Sequence, residues 1–150
     1  MTEVGQPFPS FSLPDQDGNV VTNADLLGSK TVVYFYPKDD TPGCTAEACG
    51  FRNNLAAFEG TRIIGVSPDS PKSHRKFIEK FSLNFTLLAD EEQALCNALG
   101  IWVEKSMYGK KYMGVDRTTY LLDENGVITH IWQKVKPQGH EQEVLAALKG

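Results

Sequence analysis

The chain has 150 residues, 41% of them hydrophobic and 23% charged, which fits one soluble globular domain over residues 1–150 with a core of useful size. A formal net charge of −4 argues against a nucleic-acid surface, and no apolar run approaches the ~20 residues needed to cross a bilayer. Three cysteines, an odd count, exclude a disulfide scaffold and suit a reducing, cytoplasmic compartment, and the opening MTEVGQPFPS lacks the basic and apolar regions of a signal peptide.

In chain order, residues 1–30 are polar and turn-rich, anchored by Phe8, Phe11 and Leu13. Asp17-Gly18 predicts a hairpin between residues 11–13 and 20–22, placed to cover a sheet edge. Asn23 to Gly28 reads as a single helical turn. Residues 32–36 (VVYFY) are apolar throughout and rich in β-branched and aromatic side chains, the mark of a central strand covered on both faces. Pro37 ends it and Pro42-Gly43 marks a turn. Cys44, Ala48, Phe51, Leu55 and Phe58 then follow at intervals of 4, 3, 4 and 3. At about 100° per residue they share one helix face, so a helix runs toward a stop at Gly60.

Residues 61–67 predict a strand, and Ser70-Pro71 a capped start for a helix through residue 81, with Phe77, Ile78 and Phe81 inward. Residues 85–89 form a short strand, and 91–99 a helix ended by Gly100. The alternation implies parallel strands joined by right-handed crossovers. Residues 101–116 read as irregular, with Lys105, Lys110 and Lys111 in an exposed loop. Residues 118–123 and 127–132 predict an antiparallel pair about the turn 124–126. A helix over 141–149 closes the chain, burying Val144, Leu145 and Leu148.

Cys44 carries the candidate chemistry. As an isolated cysteine it reads as a small buried hydrophobe. Its place after a strand and loop, in the first turn of a helix, changes that reading. N–H groups there lack intrahelical partners and the helix dipole favours an anion, so the sulfur has reason to be a reactive thiolate. Cys49 lies five residues on. In an intact helix the two Cα atoms are roughly 8.6 Å apart on standard helix geometry, beyond the ~7 Å limit for a disulfide. A Cys44–Cys49 bond therefore requires the first turns to unwind.

The segment YPKDDTPGCTAEAC resembles the active-site segment of the peroxiredoxins, and more narrowly the peroxiredoxin Q or bacterioferritin comigratory protein group. The family pattern is met by Pro37, Thr41 and Cys44, and the group's second cysteine by Cys49. GQPFPSFSLPDQDG, LLADEEQALCNALGIW and GVDRTTYLLDENG extend the likeness over nearly the whole chain, and the last carries the family's arginine as Arg117. The resemblance implies an α/β, thioredoxin-like fold with an N-terminal hairpin extension and a central mixed sheet flanked by helices. It also implies a thiol peroxidase acting on hydrogen peroxide and alkyl hydroperoxides. Cys44 would become a sulfenic acid, Cys49 would condense with it, and thioredoxin would reduce the disulfide. No cofactor or metal is implied, and the group's members are often monomers.

The same resemblance gives the flanking residues their roles. The Gly43 and Cys44 amides, the Thr41 hydroxyl and the Arg117 guanidinium would stabilise charge spread over sulfur and two oxygens, and the Pro37 ring would shield the pocket. Glu47 is a candidate supporting residue, and Tyr36 reads as wall. Cys96 reads as core, able to compete for a sulfenic acid only if it lies close to Cys44. His74, His130 and His140 lack metal-ligand spacing; His130 reads as a half-covered strand residue and His140 as solvated. Trp102 and Trp132 read as packing residues. The rival reading is a metal-binding or copper-chaperone module on the same fold, using Cys44, Cys49 and a histidine.

Overall fold

A computed structural model describes residues 2–149. Strands β1 (Ser12–Pro14) and β2 (Val20–Thr22) form the expected N-terminal hairpin, and a 3-10 turn over Asn23–Leu26 follows. The main sheet takes β3 (Lys30–Phe35), β4 (Thr61–Ser67), β5 (Thr86–Ala89), β8 (Thr118–Leu122) and β9 (Ile128–Trp132), in the order β5-β4-β3-β8-β9. The two crossovers make β3–β4 and β4–β5 parallel, while β8 and β9 return antiparallel. β1 meets the β5 edge through a bridge between Asp15 and Leu88, so the hairpin covers that edge.

Alternation along β3, buried from Thr31 onward, and on to Tyr36 just past its end divides the core. Val32, Tyr34 and Tyr36 face a cluster with α1 (Pro42–Asn53), α2 (Pro71–Phe81) and α4 (His140–Lys149). Val33 and Phe35 face a second cluster with Phe8, Leu26 and α3 (Ala94–Leu99). This mixed sheet with helices on both faces is the thioredoxin-like arrangement.

Several boundaries depart from the sequence-based expectation. α1 stops at Asn53 rather than continuing to Phe58. The Asn54 side chain donates to the Gly50 carbonyl at 2.8 Å, and residues Leu55–Phe58 tighten into a 3-10 turn that still buries Phe58. α3 begins at Ala94, not Glu91, because Gln93 is left-handed (φ 57°) and the Asp90 carboxylate accepts from the Leu95 and Cys96 amides at 3.2 and 2.9 Å. Residues 101–116 are not irregular. They form a hairpin of β6 (Trp102–Met107) and β7 (Lys110–Val115), turning at Tyr108-Gly109 with φ positive at both residues (52° and 78°). Such two-residue turns match the twist of paired strands.

Candidate active site

β3 delivers the chain to the centre of the sheet's edge, and the loop after it is pinned before α1 begins. Asp39 is buried and accepts from the Tyr36 hydroxyl at 2.5 Å and the Ser73 hydroxyl at 2.8 Å. His74 Nδ1 lies 2.7 Å from Asp39 Oδ2, and its Nε2–H donates to the Leu88 carbonyl at 2.8 Å. The Asp39 amide donates to Asp69 Oδ2 at 2.8 Å. The loop is thus tied to the start of α2 through both its backbone and a carboxylate.

Thr41 is the N-cap residue of α1, with Pro42 in the first helical position, where a missing N–H costs nothing. The Thr41 hydroxyl donates to the Lys38 carbonyl at 2.9 Å, which leaves its lone pairs to accept from a ligand. The first intrahelical bond runs from the Thr45 amide to the Thr41 carbonyl at 2.8 Å. Gly43 and Cys44 therefore keep first-turn N–H groups with no intrahelical partner, beside a sulfur that is itself buried.

Arg117 reaches this place because of strand register. β8 runs antiparallel to β3 with Thr118 opposite Phe35, so the residue before β8 lies beside the end of β3. Arg117 Nη2 donates to Cys44 Sγ at 3.3 Å, and Nη1 donates to Glu47 Oε1 at 2.7 Å. Gly43 makes the approach possible: a Cβ there would lie 3.2 Å from Arg117 Nη2 and 3.2 Å from the Pro137 ring. Burial works against the guanidinium's charge, but Glu47 and Cys44 outweigh it and hold the Arg117 pKa above its usual value.

Glu47 belongs to this cluster more firmly than sequence reasoning gave it. It is fully buried, and burial pushes its carboxyl up to about 7 against the opposing pull of Arg117. Pro37 is half-buried at the end of β3, and Tyr36 is buried beneath the loop as wall. Lys105 is not in an exposed loop. The β6–β7 hairpin instead half-buries it near Asp116, Arg117 and Cys44, and burial lowers its pKa. No spacing in residues 101–116 signalled that approach.

The remaining thiols and histidines divide cleanly. Cys49 is partly exposed on α1, and Cys44, Cys49 and Cys96 are all free thiols. Cys96 is core, as expected, but in the cluster on the other face of the sheet from Cys44. Burial, then Asp90, push its thiol pKa far up. His140 is not solvated: it is buried between Phe51 and Trp132, with Nε2 2.8 Å from the Thr119 hydroxyl, and burial lowers its pKa. His130 is exposed and stacks on Trp132 at 5.6 Å. Trp102 and Trp132 pack against the two core clusters. Among the described residues, the group that could gather around a metal ion is Asp39, Asp69 and His74, not Cys44 and Cys49 with a histidine.

A buried cysteine in the first turn of a helix, faced by an arginine on a thioredoxin-like sheet, defines the thiol peroxidase class. Comparison with known proteins agrees. The model of the AhpC/TSA family matches residues 4–131. The putative peroxiredoxin bcp of Coxiella burnetii is 49% identical over 148 residues, covering 97% of this chain and 98% of that protein. Peroxiredoxin Bcp of Escherichia coli K12 is 45% identical over 149 residues, covering 98% and 96%. The bacterioferritin comigratory protein of Xanthomonas campestris, solved in trapped intermediate and ligand complexes that concern alkyl peroxide reduction, superposes with a TM-score of 0.87 at 44% identity, over 93% of this chain and 90% of that one. A cysteine-to-serine variant of Xylella fastidiosa PrxQ gives 0.93 at 35% identity, over 99% and 96%. The chain belongs to the AhpC/TSA family, in its Bcp or peroxiredoxin Q group, and is a thiol-dependent peroxidase. The metal-chaperone alternative is not favoured.

Proposed function

We propose that Cys44 is the sulfur that attacks peroxide and that Cys49 resolves the product as an intramolecular disulfide. The observation that carries this reading is the Arg117 Nη2 donor 3.3 Å from Cys44 Sγ, at the open start of α1. The thiolate is the nucleophile. Its electron pair forms a bond to the terminal peroxide oxygen as the O–O bond breaks, leaving a sulfenic acid and releasing an alcohol or water. Negative charge spreads along the S···O···O line. The Gly43 and Cys44 amides and Arg117 are fixed donors for that charge, while Thr41 accepts from the peroxide hydroxyl and Pro37 limits water entry.

The second step needs motion. With α1 wound from Pro42 to Asn53, the Cys44 and Cys49 Cα atoms stand roughly 8.6 Å apart on standard helix geometry. Local melting of residues 42–49 brings the sulfurs together and exposes the disulfide for thiol exchange. Thioredoxin is the reductant we expect. Hydrogen peroxide and alkyl hydroperoxides are the substrates, the latter supported by the alkyl peroxide reduction of the Xanthomonas relative. We also infer a single-domain monomer working in the cytoplasm without cofactor or nucleic acid; no helix among the described residues is long and apolar enough to cross a membrane.

Stopped-flow peroxide assays on Cys44→Ser and Cys49→Ser variants test the assignment. Cys44→Ser is expected to abolish peroxide consumption. Turnover that survives it would overturn the role of Cys44.

A further inference from the structure

Glu47 is a buried acid for which the reaction as described has no task. Its Oε1 accepts from Arg117 Nη1 at 2.7 Å, and its Oε2 is buried with no hydrogen-bond partner among the described residues. The same guanidinium donates through Nη2 to Cys44 Sγ at 3.3 Å. One cation therefore stands between two groups that can each become an anion. If both ionised, the buried site would hold a net negative charge, which is costly away from water.

We propose that Glu47 holds a proton while Cys44 is a thiolate and gives it up as the sulfur's charge is consumed, so that the site stays electrically neutral through peroxide reduction. This rests on the peroxidase reading above. The sulfur's electron pair forms the Sγ–O bond, the O–O bond breaks, and sulfur is oxidised by the two electrons that reduce the peroxide. The departing alkoxide, or hydroxide from hydrogen peroxide, takes up one proton, and Glu47 releases one. Thiolate, guanidinium and carboxylic acid sum to zero before the step. Sulfenic acid, guanidinium and carboxylate sum to zero after it.

The neighbouring charges agree with this cycle. Glu141 on α4 adds to burial in favouring the protonated form of Glu47, while Arg117 opposes it. The charge of Arg117 also acts on Lys105 of β6 and His140 of α4, and the charges of Glu47 and Cys44 act on the buried Tyr34 phenol of β3. With burial placing the carboxyl at about 7, its proton can be present or absent near neutral pH.

The test uses the full chain in a Cys49→Ser background, which arrests the reaction at the sulfenic acid. Infrared difference spectra on adding equimolar hydrogen peroxide are expected to lose a carboxylic-acid C=O stretch and gain carboxylate bands, and Glu47→Gln is expected to remove that change. The parent's rate of peroxide attack is expected to fall several-fold as pH rises through about 7, because an ionised Glu47 draws Arg117's charge away from sulfur. Glu47→Gln, which can keep the hydrogen bond without the charge, is expected to lose that inflection. A parent spectrum with no carboxyl change overturns the proposal, and this is read without any Glu47 variant having to fold. A carboxyl band that survives Glu47→Gln, or a shared pH inflection, overturns it as well. Thiol titration of the same sample separates the two readings: if Cys44 remains a thiol, the peroxidase assignment itself has failed.

Discussion

Arg117 shows how much one side chain can carry and how little it announces. Alone, an arginine before a strand reads as a solvated charge. The register of β8 against β3 turns it into the donor on Cys44 Sγ. Removing one fixed donor from a charge-developing site costs about 10²–10³ in rate. We expect Arg117→Ala to slow the second-order reaction with peroxide by roughly that factor, with a far smaller change in the urea midpoint. A normal rate in stopped flow would remove Arg117 from the site. At the second thiol, Cys49→Ser is expected to reduce one peroxide per chain and then stall in a thioredoxin-coupled assay. Adding Cys96→Ser should change nothing further, since Cys96 sits across the sheet from Cys44. Full turnover in the double variant would defeat the resolving role of Cys49.

At the scale of elements, α1 is the part that the proposed cycle asks to move. Its melting is opposed by helix propensity and by the buried stripe of Cys44, Ala48 and Phe51. Ala46 lies between the two cysteines, away from that buried stripe. Glycine costs about 1 kcal/mol relative to alanine within a helix, which is a factor of about 5 in an equilibrium constant near room temperature. Ala46→Gly is therefore expected to speed Cys44–Cys49 closure several-fold after peroxide addition, as read by quenched-flow alkylation. Closure at the parent rate would mean that unwinding does not limit resolution. The strand, loop and cysteine of this element were legible because apolar periodicity and Pro-Gly punctuation are local. The end of α1 was not, since Asn54 competes for a helix carbonyl through its side chain. The β6–β7 hairpin escaped because its strands lie off the main sheet and are mostly solvated, so no clean alternation of apolar residues marks them.

For the whole molecule, two buried titrating groups set opposite pH trends. Burial raises Glu47 in the folded chain from 4.5 to about 7. The folded state then binds the extra proton in that window, so this contribution is fully present below 4.5 and fades as pH rises toward 7. His140 is lowered by burial, so its contribution is present above its unfolded pKa and is lost as pH falls below it. Glu47→Gln is expected to abolish the loss of stability between pH 4.5 and 7, leaving the His140 trend exposed. Urea midpoints across that range check this, and an unchanged slope would contradict the burial of Glu47. Neither buried environment could be read from sequence. Glu47 meets Arg117 from 70 residues away, and His140 meets Thr119 from 21.

The tether from Asp39 to Ser73, His74 and Asp69 has its own consequence. With the upstream end of α1 clamped, a catalytic cycle need not disturb the scaffold that shaped it. In the cycle proposed above only a short stretch would travel and return, like a latch swinging on a fixed post, while the rest of the molecule keeps the template for its next closure.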